Sequence, residues 1–590
     1  MQIDKSLGNN RWVMTPYDAR EAMRISQSYG LPEIIGRLLS SREVRFDQVE
    51  AFLRPRMRDH FPDPFKLKDM DKMADFVADA VINNRKIGVF ADFDVDGATS
   101  SAILKRFFRA LGQDVPVYIP ERLTEGYGPS AEAFAKLKEL GVDIIITVDC
   151  GATSFGPAQA AKDMGVDLII LDHHETEDTL PVATFLIDPK RQDDTSEFDE
   201  LAACGVAFLT CVAINACLRD KGFYKDRPEP PLKNWLDLVA LGTIADMVPQ
   251  RGPNRLLVRE GLKQMDKRET AGMRALMEVC GVTKFPTPYH IGFGMGPRIN
   301  AGSRVHQSDL GSKLLSTDDY EEAKNLAWLL NDCNEKRKNL QKDMTAEALE
   351  KVKTLGLEND PVIVVEGEGW HSGLSGLVAG KLKETYGRPA CVITYAENEN
   401  GVLEGRGSGR SIEGVNIAAS FIEARNEGLL VKGGGHAMAG GFTIMPEMIE
   451  PFRIFVRKHV QQQLDGQPIL PEMTIDAVAT IGGASLDFVK LIQREMTPFG
   501  SGNPEPRFAL NKVRIGRADI MAERHIRCYV SDMEGGSSIK AVAFGAVGTA
   551  MGDALLSAND TPLHLAGGFQ INEWQGRESV EFHIADVAAL

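Results

Sequence analysis

The chain has no continuous apolar run of about 20 residues, so no ordinary membrane-spanning helix is written into it. It has no CxxC pair. Its eight cysteines are scattered, which argues against a zinc ribbon or a disulfide framework and for free, buried thiols in a reducing compartment. Met1-Gln2-Ile3-Asp4-Lys5 carries no apolar leader, and a cytoplasmic protein is expected. Positive charge is also short. Lys and Arg number 67 against 83 Asp and Glu, a net charge of -16. This balance argues against a general nucleic-acid coat, which would be basic overall. It leaves room for a nuclease with a locally basic groove, because metal-binding carboxylates themselves add to the negative count. No internal repeat or low-complexity tract is present. What remains is a 590-residue chain, 43% hydrophobic and 25% charged, too long for a single core.

Hydrophobic patterning divides it into five segments. Residues 1–84 read as a polar, helical N-terminal segment, with helices over 19–29, 33–39 and 70–82 separated by Pro55, Pro62 and Pro64. Residues 85–270 alternate apolar strand and helix, as a doubly wound parallel α/β domain does. Residues 271–356 form a helical connector dominated by a long pattern over 316–355, whose basic cluster Lys336-Arg337-Lys338 reads as a solvated face. Residues 357–465 alternate again, with glycine-rich segments at 405–411 and 433–441. Residues 466–590 carry short, closely spaced β-like runs, the pattern of a small barrel of oligonucleotide-binding (OB) type. The fold class is therefore α/β: two α/β lobes joined by a long helix, with a helical N-terminal segment and a C-terminal OB-like β-barrel.

Chemistry is concentrated where apolar strands end. Ile87-Gly88-Val89-Phe90-Ala91 runs into Asp92, Asp94, Asp96 and Gly97. Ile144 to Val148 ends in Asp149, and Leu168 to Leu171 ends in Asp172-His173-His174. Asp246 interrupts the apolar stretch Leu241 to Val248. One acidic segment is ordinarily a turn or a helix cap, and a lone His is ordinarily hydrogen-bonded. Several at the carboxyl ends of parallel strands, where such sheets bind ligands, point to metal. Oxygen and imidazole donors without Cys suit Mn²⁺ or Mg²⁺. Two such ions, typically about 3.5–4 Å apart, would clamp a phosphate for hydrolysis.

These four segments, in this order, resemble the DHH phosphoesterase superfamily. Phe52-Leu53-Arg54-Pro55, Gly296-Pro297-Arg298-Ile299-Asn300-Ala301, Gly407-Ser408-Gly409-Arg410-Ser411, Gly434-Gly435-His436 with Ala439-Gly440-Gly441, and Pro498-Phe499-Gly500 with Gly502-Asn503-Pro504 narrow the resemblance to the bacterial single-strand-specific exonuclease family RecJ. The resemblance implies a 5′-to-3′ exonuclease on single-stranded DNA that releases mononucleotides in repair and recombination. It implies Asp94, Asp96, Asp149, His173 and Asp246 as metal ligands, with Asp92, Asp172 and His174 as further ligands or residues that orient them. Asp149, His173, His174 and His436 would take part in catalysis. Arg122, Ser408 and Arg410 would hold the 5′-terminal phosphate, with Arg298 and Arg304 on the strand backbone and His436 on a phosphate. Arg304 lies in Ala301-Gly302-Ser303-Arg304, where the family segment ordinarily has two alanines before Gly-Arg. The partners implied are single-strand-binding protein and a RecQ-type helicase, with no membrane, and the chain is expected to be a monomer. Phe508, Tyr529, Phe544 and Trp574 are candidate stacking aromatics, each more ordinarily core.

Three other readings compete. A phosphodiesterase of very short RNA or cyclic dinucleotides resembles the two α/β lobes but commonly lacks the lead-in and barrel. A DHH pyrophosphatase fits the 433–441 segment less well. A non-catalytic scaffold would be expected to lose metal ligands, whereas all four segments keep theirs.

Overall fold

A computed structural model of the chain describes residues 2–398, 401–465, 471–558 and 561–590. The expected start of the C-terminal segment, at 466, lies outside the described residues. The chain packs as two compact units: Met1–His60, Pro249–Arg255 and Leu470–Leu590 form one, and Phe61–Val248 with Leu256–Ile469 form the other.

The larger unit holds two sheets. The first is parallel throughout, in the order Val117–Tyr118, Ile87–Ala91, Ile144–Val148, Asp167–Leu171 and Phe185–Ile187. Its strands are continuous apolar runs because both faces are covered. Phe134, Leu137, Ala158 and Ala161 of helices Ala131–Glu139 and Phe155–Asp163 pack on Phe90, Ile145, Leu168 and Ile170. Helix Val95–Ala110 packs against Ala203–Asp220 and Leu236–Ala245. Ala203–Asp220 has the length and apolar composition of a membrane span, yet 13 of its 18 residues are buried in the protein. It is apolar all round because protein surrounds it.

The second sheet runs Lys432–His436, Ala439–Ile444, Leu403–Arg410, Ala390–Glu397 and Ile363–Gly367. Only the last two strands pair in parallel. Helices Ile417–Asn426 and Ile449–Leu464 cover one face through Phe421, Phe452 and Val456. Ser375–Tyr386 and the 35-residue helix Tyr320–Thr354 share a core with Val365 and Val392. The glycine-rich segments lie on strands here. A Cβ on Gly407 would stand 2.1 Å from the Phe442 ring, and one on Gly409 would stand 2.5 Å from Phe421. These glycines make room for aromatic rings, and their strands form ladder hydrogen bonds.

In the smaller unit a barrel closes through Phe508–Met521, His525–Asp532, Ser538–Ala543, Arg577–Ala589 and Leu563–Trp574, the last pairing back with the first. Ile25, Ile35 and Leu38 of helices Ala19–Tyr29 and Glu33–Ser41 share one core with Phe508, Leu565 and Phe582. Residues 11–14, expected in a helical region, form a strand parallel to Glu472–Ile475. That strand is held by Trp12, which donates its indole N–H to Asp586 at 2.8 Å. The buried Asp586 carboxylate also accepts from Ser6, Asn10 and the backbone of Gly8 and Val587.

Two of the motifs meet around Arg255, which is 1% exposed. Its guanidinium stacks 3.7 Å over Phe52 and donates to the carbonyls of Phe52, Glu495, Met496, Thr497 and Pro498. Asn503, fully buried, donates to the Met496 and Pro498 carbonyls and accepts from Arg42. Those motifs thus serve to build this unit. Arg255→Met keeps the volume but strips five carbonyls of a donor, at about 1–3 kcal/mol for each left dry. We expect the denaturation midpoint followed by fluorescence of the buried Trp12 to fall clearly below that of the unaltered chain. An unchanged midpoint would contradict this role for Arg255.

Candidate metal centre and anion pocket

In the parallel sheet the chain winds first one way from Ile87–Ala91 and then the other way to Ile144–Val148, so the crevice between their carboxyl ends is the switch point where such sheets bind ligands. Four of the five strands deliver an aspartate as the next residue: Asp92, Asp149, Asp172 and Asp188. Backbone bonds extend the ladder beyond the strands and fix these residues. The Asp92 N–H donates to Val148 at 3.3 Å, Asp149 to Leu171 at 3.1 Å and Asp172 to Ile187 at 3.1 Å. Asp149 holds a left-handed φ of 62°, an uncommon conformation for a non-glycine residue.

Asp94 caps helix Val95–Ala110, its Oδ1 accepting from the Asp96 and Gly97 amides. Residue 97 must be glycine, since a Cβ there would lie 2.2 Å from the Asp92 carbonyl. Asp96 is buried and accepts from the amides of Ala203 at 2.7 Å and Cys204 at 2.9 Å, the N-terminus of a helix whose dipole favours negative charge. Gly242 packs against Thr99, Cys204 and Asp96 where a side chain would clash. One turn later Asp246 ends helix Leu236–Ala245.

These residues converge on His173. Its Nε2 lies 3.3 Å from Asp149, 3.7 Å from Asp246 and 3.8 Å from Asp96. Both ring nitrogens are buried without a hydrogen-bond partner, as is Oδ1 of Asp92. Three groups have donor atoms within 4.8 Å of one another: Asp149, His173 and His174; Asp96, His173 and Asp246; Asp92, Asp94 and Asp149. Asp172 belongs to none of them. Its Oδ2 accepts from the Ala152 amide, and its Oδ1 accepts from the amides of His173 and His174 and meets Nδ1 of His174 at 2.7 Å. Oδ1 is thus taken up in holding the His173-His174 turn, and Oδ2 ties it to the segment after Asp149.

The electrostatics of the site follow from crowding. Burial and then Asp94 push the carboxyl of Asp96 up to about 6, and burial followed by Asp96 and Asp94 push Asp246 up to about 8. Asp92 and Asp149 are raised well above the ordinary range, by burial first and neighbouring carboxylates second. Burial and the neighbouring His174 lower His173 to about 4, so its ring is neutral and offers the lone pair of one nitrogen. Burial pulls His174 down too, but the hydrogen bond and charge of Asp172 outweigh it and raise His174 to about 9. Neutral imidazole nitrogens facing buried carboxylates are a donor set that a divalent cation completes.

A cationic cluster gathers in the same unit. Arg122 lies 4.5 Å over the Phe93 ring, and its amide donates to Ser308. Arg304 donates to the Gly373 carbonyl at 2.7 Å. Arg410 donates to the Gly409 carbonyl and fills the space that a Cβ on Gly376 would take. Burial and then the charges of Arg122, Arg337 and Arg410 lower Arg304 to about 9. Ser408 is two residues before Arg410 on one strand, hence on one face, and its Oγ accepts from Ser375 at 3.0 Å. Arg298 is directed elsewhere, to the Gly294 carbonyl and Asn331. His436 is exposed at the end of strand Lys432–His436, and no described contact brings it to either cluster.

Two residues beside the centre escaped the sequence reading. Asp188 is 1% exposed, with Oδ2 unpartnered, and burial raises its carboxyl to about 7. Its signal was the strand-then-Asp pattern of the other three. Tyr127 donates to the Asp149 carbonyl at 3.4 Å and lies edge-on to His174. Of the four barrel aromatics Phe508 is core, while Tyr529, Phe544 and Trp574 are exposed.

Comparison with known proteins gives this arrangement a lineage. Residues 86–243 match the DHH family N-terminal domain, 359–462 the DHHA1 domain and 475–586 the RecJ OB domain. The chain is 32% identical to the single-stranded-DNA-specific exonuclease RecJ of Bacillus subtilis, over 98% of this chain and 71% of that one. It is 32% identical to RecJ of Dickeya dadantii, over 97% and 99%. Crystal structures of Thermus thermophilus RecJ in complex with Mn²⁺ and with Mg²⁺ superpose with TM-scores of 0.79 and 0.74, at 27% and 26% identity, each covering 98% of this chain and 78% of that one. With all three domain models in order and such identity sustained along nearly the whole chain, the protein belongs to the RecJ family of single-stranded-DNA-specific exonucleases.

Proposed function

We propose that the protein is a 5′-to-3′ exonuclease on single-stranded DNA that hydrolyses phosphodiester bonds with two Mn²⁺ or Mg²⁺ ions and releases 5′-mononucleotides. The observation that carries this reading is His173, buried and unpartnered at both ring nitrogens among three carboxylates. Ions held by Asp92, Asp94, Asp96, Asp149, His173 and Asp246 would lower the pKa of water and offset charge on phosphoryl oxygens. The chain's own contribution is positional. Asp172 orients the His173-His174 turn through three bonds, and the Ala203 and Cys204 amides aim Asp96. His174, protonated through Asp172 and partly exposed, has Nε2–H free to donate to a phosphoryl or leaving oxygen.

Arg122, Arg304 and Arg410, with Ser408, offer bidentate and hydroxyl donors to a terminal 5′-phosphate, which sets polarity. Arg298 and His436 are assigned to the strand further from the centre, since neither joins the cluster. Exposed Tyr529, Phe544 and Trp574 suit base stacking on the barrel. Division of labour follows the five segments: residues 85–270 hold the metals, 357–465 complete the phosphate pocket through Arg410 and 466–590 bind the strand. By family likeness we place the protein in the cytoplasm as a monomer, working beside single-strand-binding protein and a RecQ-type helicase in repair and recombination.

Single-stranded DNA labelled at the 5′ end should lose its label as mononucleotide before the strand shortens visibly, with Mn²⁺ and not with chelator. Early release of a 3′ label would refute the polarity. Asp149→Ala should lower turnover by at least about a hundredfold, and near-normal turnover would remove Asp149 from the centre.

The raised carboxyls also give a pH signature. Asp96 and Asp246 keep their protons to about 6 and about 8 when folded, against about 4 when unfolded. Such groups contribute stability below about pH 4, and that stability is lost as pH rises through the folded values. Metal-free protein should therefore melt at progressively lower temperature from about pH 5 to 8, and Mn²⁺ should raise Tm more at pH 8 than at pH 5.5. Asp246→Asn should raise the metal-free Tm at pH 8 and shrink the Mn²⁺ shift. A Mn²⁺ shift independent of pH would contradict the crowding.

A further inference from the structure

We infer that the smaller unit carries a phosphate site of its own, a polar cavity whose available cation is Arg507 and which takes a phosphate group borne on a sugar. The cavity, of about 170 Å³, is lined by residues of the N-terminal helices, the segment 249–255 and the run into the barrel. Pro504 is the one wholly apolar side chain on its wall, so an apolar ligand has little to pack on. Arg42, Arg251 and Arg507 line it together with Glu43, Asp476 and Glu505. The two signs are equal in number, and hydrogen bonding decides which charge is left for a ligand. Asp476 is used up: Oδ1 accepts from Arg42 at 3.3 Å and Oδ2 from the Arg507 amide at 2.9 Å. Arg42 is spent on Asp476, on Asn503 and on the carbonyls of Leu38 and Pro504. Glu505 is bonded to Gln570. Glu43, whose side chain is 83% exposed, meets Arg251 at 3.2 Å, and ion pairs so exposed contribute little. The Arg507 guanidinium donates to the Thr474 carbonyl at 3.3 Å and is in no ion pair among the described residues. Its charge is the one left over.

The local backbone suits such a ligand. Strand Arg11–Met14 pairs in parallel with Glu472–Ile475, Val13 opposite Thr474, so Thr15 and Thr474 lie on one face and both line the cavity. Gly502 takes a left-handed φ of 68°; a Cβ there would stand 3.3 Å from Nε of Arg251, and its absence gives that guanidinium room. Glu43 follows helix Glu33–Ser41 at a φ of 58°, the position where glycine is the ordinary residue. A glutamate held in that conformation at the mouth of a cavity keeps Arg251 engaged until another anion replaces it. The amides of Glu43 and Val44 cap the Ser40 and Leu39 carbonyls, so the negative end of the helix is satisfied without a ligand. A phosphate has the oxygens to accept the Arg507 fork and hydroxyl donors together. At about 30 Å³ of liquid volume per water, the cavity has room for about five or six waters. That accommodates a phosphate and part of the sugar behind it, with a base left outside.

Such a phosphate belongs to a free 5′-mononucleotide or to the backbone of a bound strand, and calorimetric titration of the full chain in chelator separates the two. The probes are dAMP and the dinucleoside d(TpT), which has no terminal phosphate. Since the guanidinium cluster of the larger unit also suits dAMP, the unaltered chain should bind dAMP at two sites. Arg507→Gln should weaken one of them about tenfold and leave the other, which Arg410→Gln weakens instead. Arg507→Lys should fall between, keeping the charge without the fork. Glu43→Gln should tighten the Arg507-dependent site about twofold to fivefold by releasing Arg251. An R507Q protein whose Tm falls would be judged on E43Q, which leaves Arg507 in place. An R507Q isotherm identical to that of the unaltered chain, or E43Q protein that binds dAMP no more tightly, would overturn the assignment. Arg507-dependent binding of dAMP alone identifies a free mononucleotide as the ligand, and binding of d(TpT) as well identifies the strand backbone.

Discussion

Like charge held at close range is the constraint on which the larger unit depends. Asp92, Asp94, Asp96, Asp149 and Asp246 are crowded with neutral His173 where water scarcely reaches, and none of them lies on a flexible tip. Each sits at the end of a buried strand or helix, held by backbone bonds that the rest of the fold maintains. Carboxylates so placed repel one another by several kcal/mol at the dielectric of a protein interior, and such repulsion is tolerable only where the scaffold is stiff. The parallel sheet provides that stiffness, and the missing Cβ atoms of Gly97 and Gly242 allow helices to approach closely enough to add their amides and their aspartates.

The guanidinium cluster is the mirror of this arrangement. It too is a concentration of one sign, and Arg122 is its link to the acidic centre, since its charge is felt by Asp92 and Asp94. A substrate phosphate between the two would face donors on one side and, through bound cations, positive charge on the other. Neither cluster is suited to bind a neutral ligand. On the proposed reading, selectivity for a phosphate end would arise from two unfavourable electrostatic arrangements that an anion and its cations relieve together.

Much of this was legible in the sequence because buried parallel strands are unbroken apolar runs, and a carboxylate at the end of one stands out. Ile87–Ala91, Ile144–Val148 and Asp167–Leu171 announced Asp92, Asp149 and Asp172 in that way. Asp188 follows the same pattern more faintly, because its strand has three residues and runs into Pro189, which reads as a turn. The sequence left Asp172 open between the two roles: a ligand and a residue that orients ligands have the same letter, and its four hydrogen-bond donors are visible only in the structure. The strand Arg11–Met14 was hidden for another reason. Its partner lies at Glu472–Ile475, and four residues of mixed polarity carry no periodicity. The glycine-rich segments were ambiguous in sequence, because glycine signals a phosphate loop and a clearance for Phe421 or Phe442 with equal force.

The clamp on Asp586 has a consequence for the way the chain is made. Its donors are Ser6, Gly8, Asn10 and Trp12, and Trp12 is separated from its acceptor by 574 residues. At a synthesis rate of about 5–20 residues per second, the N-terminal strand waits on the order of half a minute to two minutes for the carboxylate that holds it. During that time Trp12 and the apolar faces of helices Ala19–Tyr29 and Glu33–Ser41 have no barrel to cover them. The larger unit meanwhile has all its strands and can close first. The order of assembly is thus opposite to the order of the ends: the middle of the chain folds while its beginning waits for its last residues.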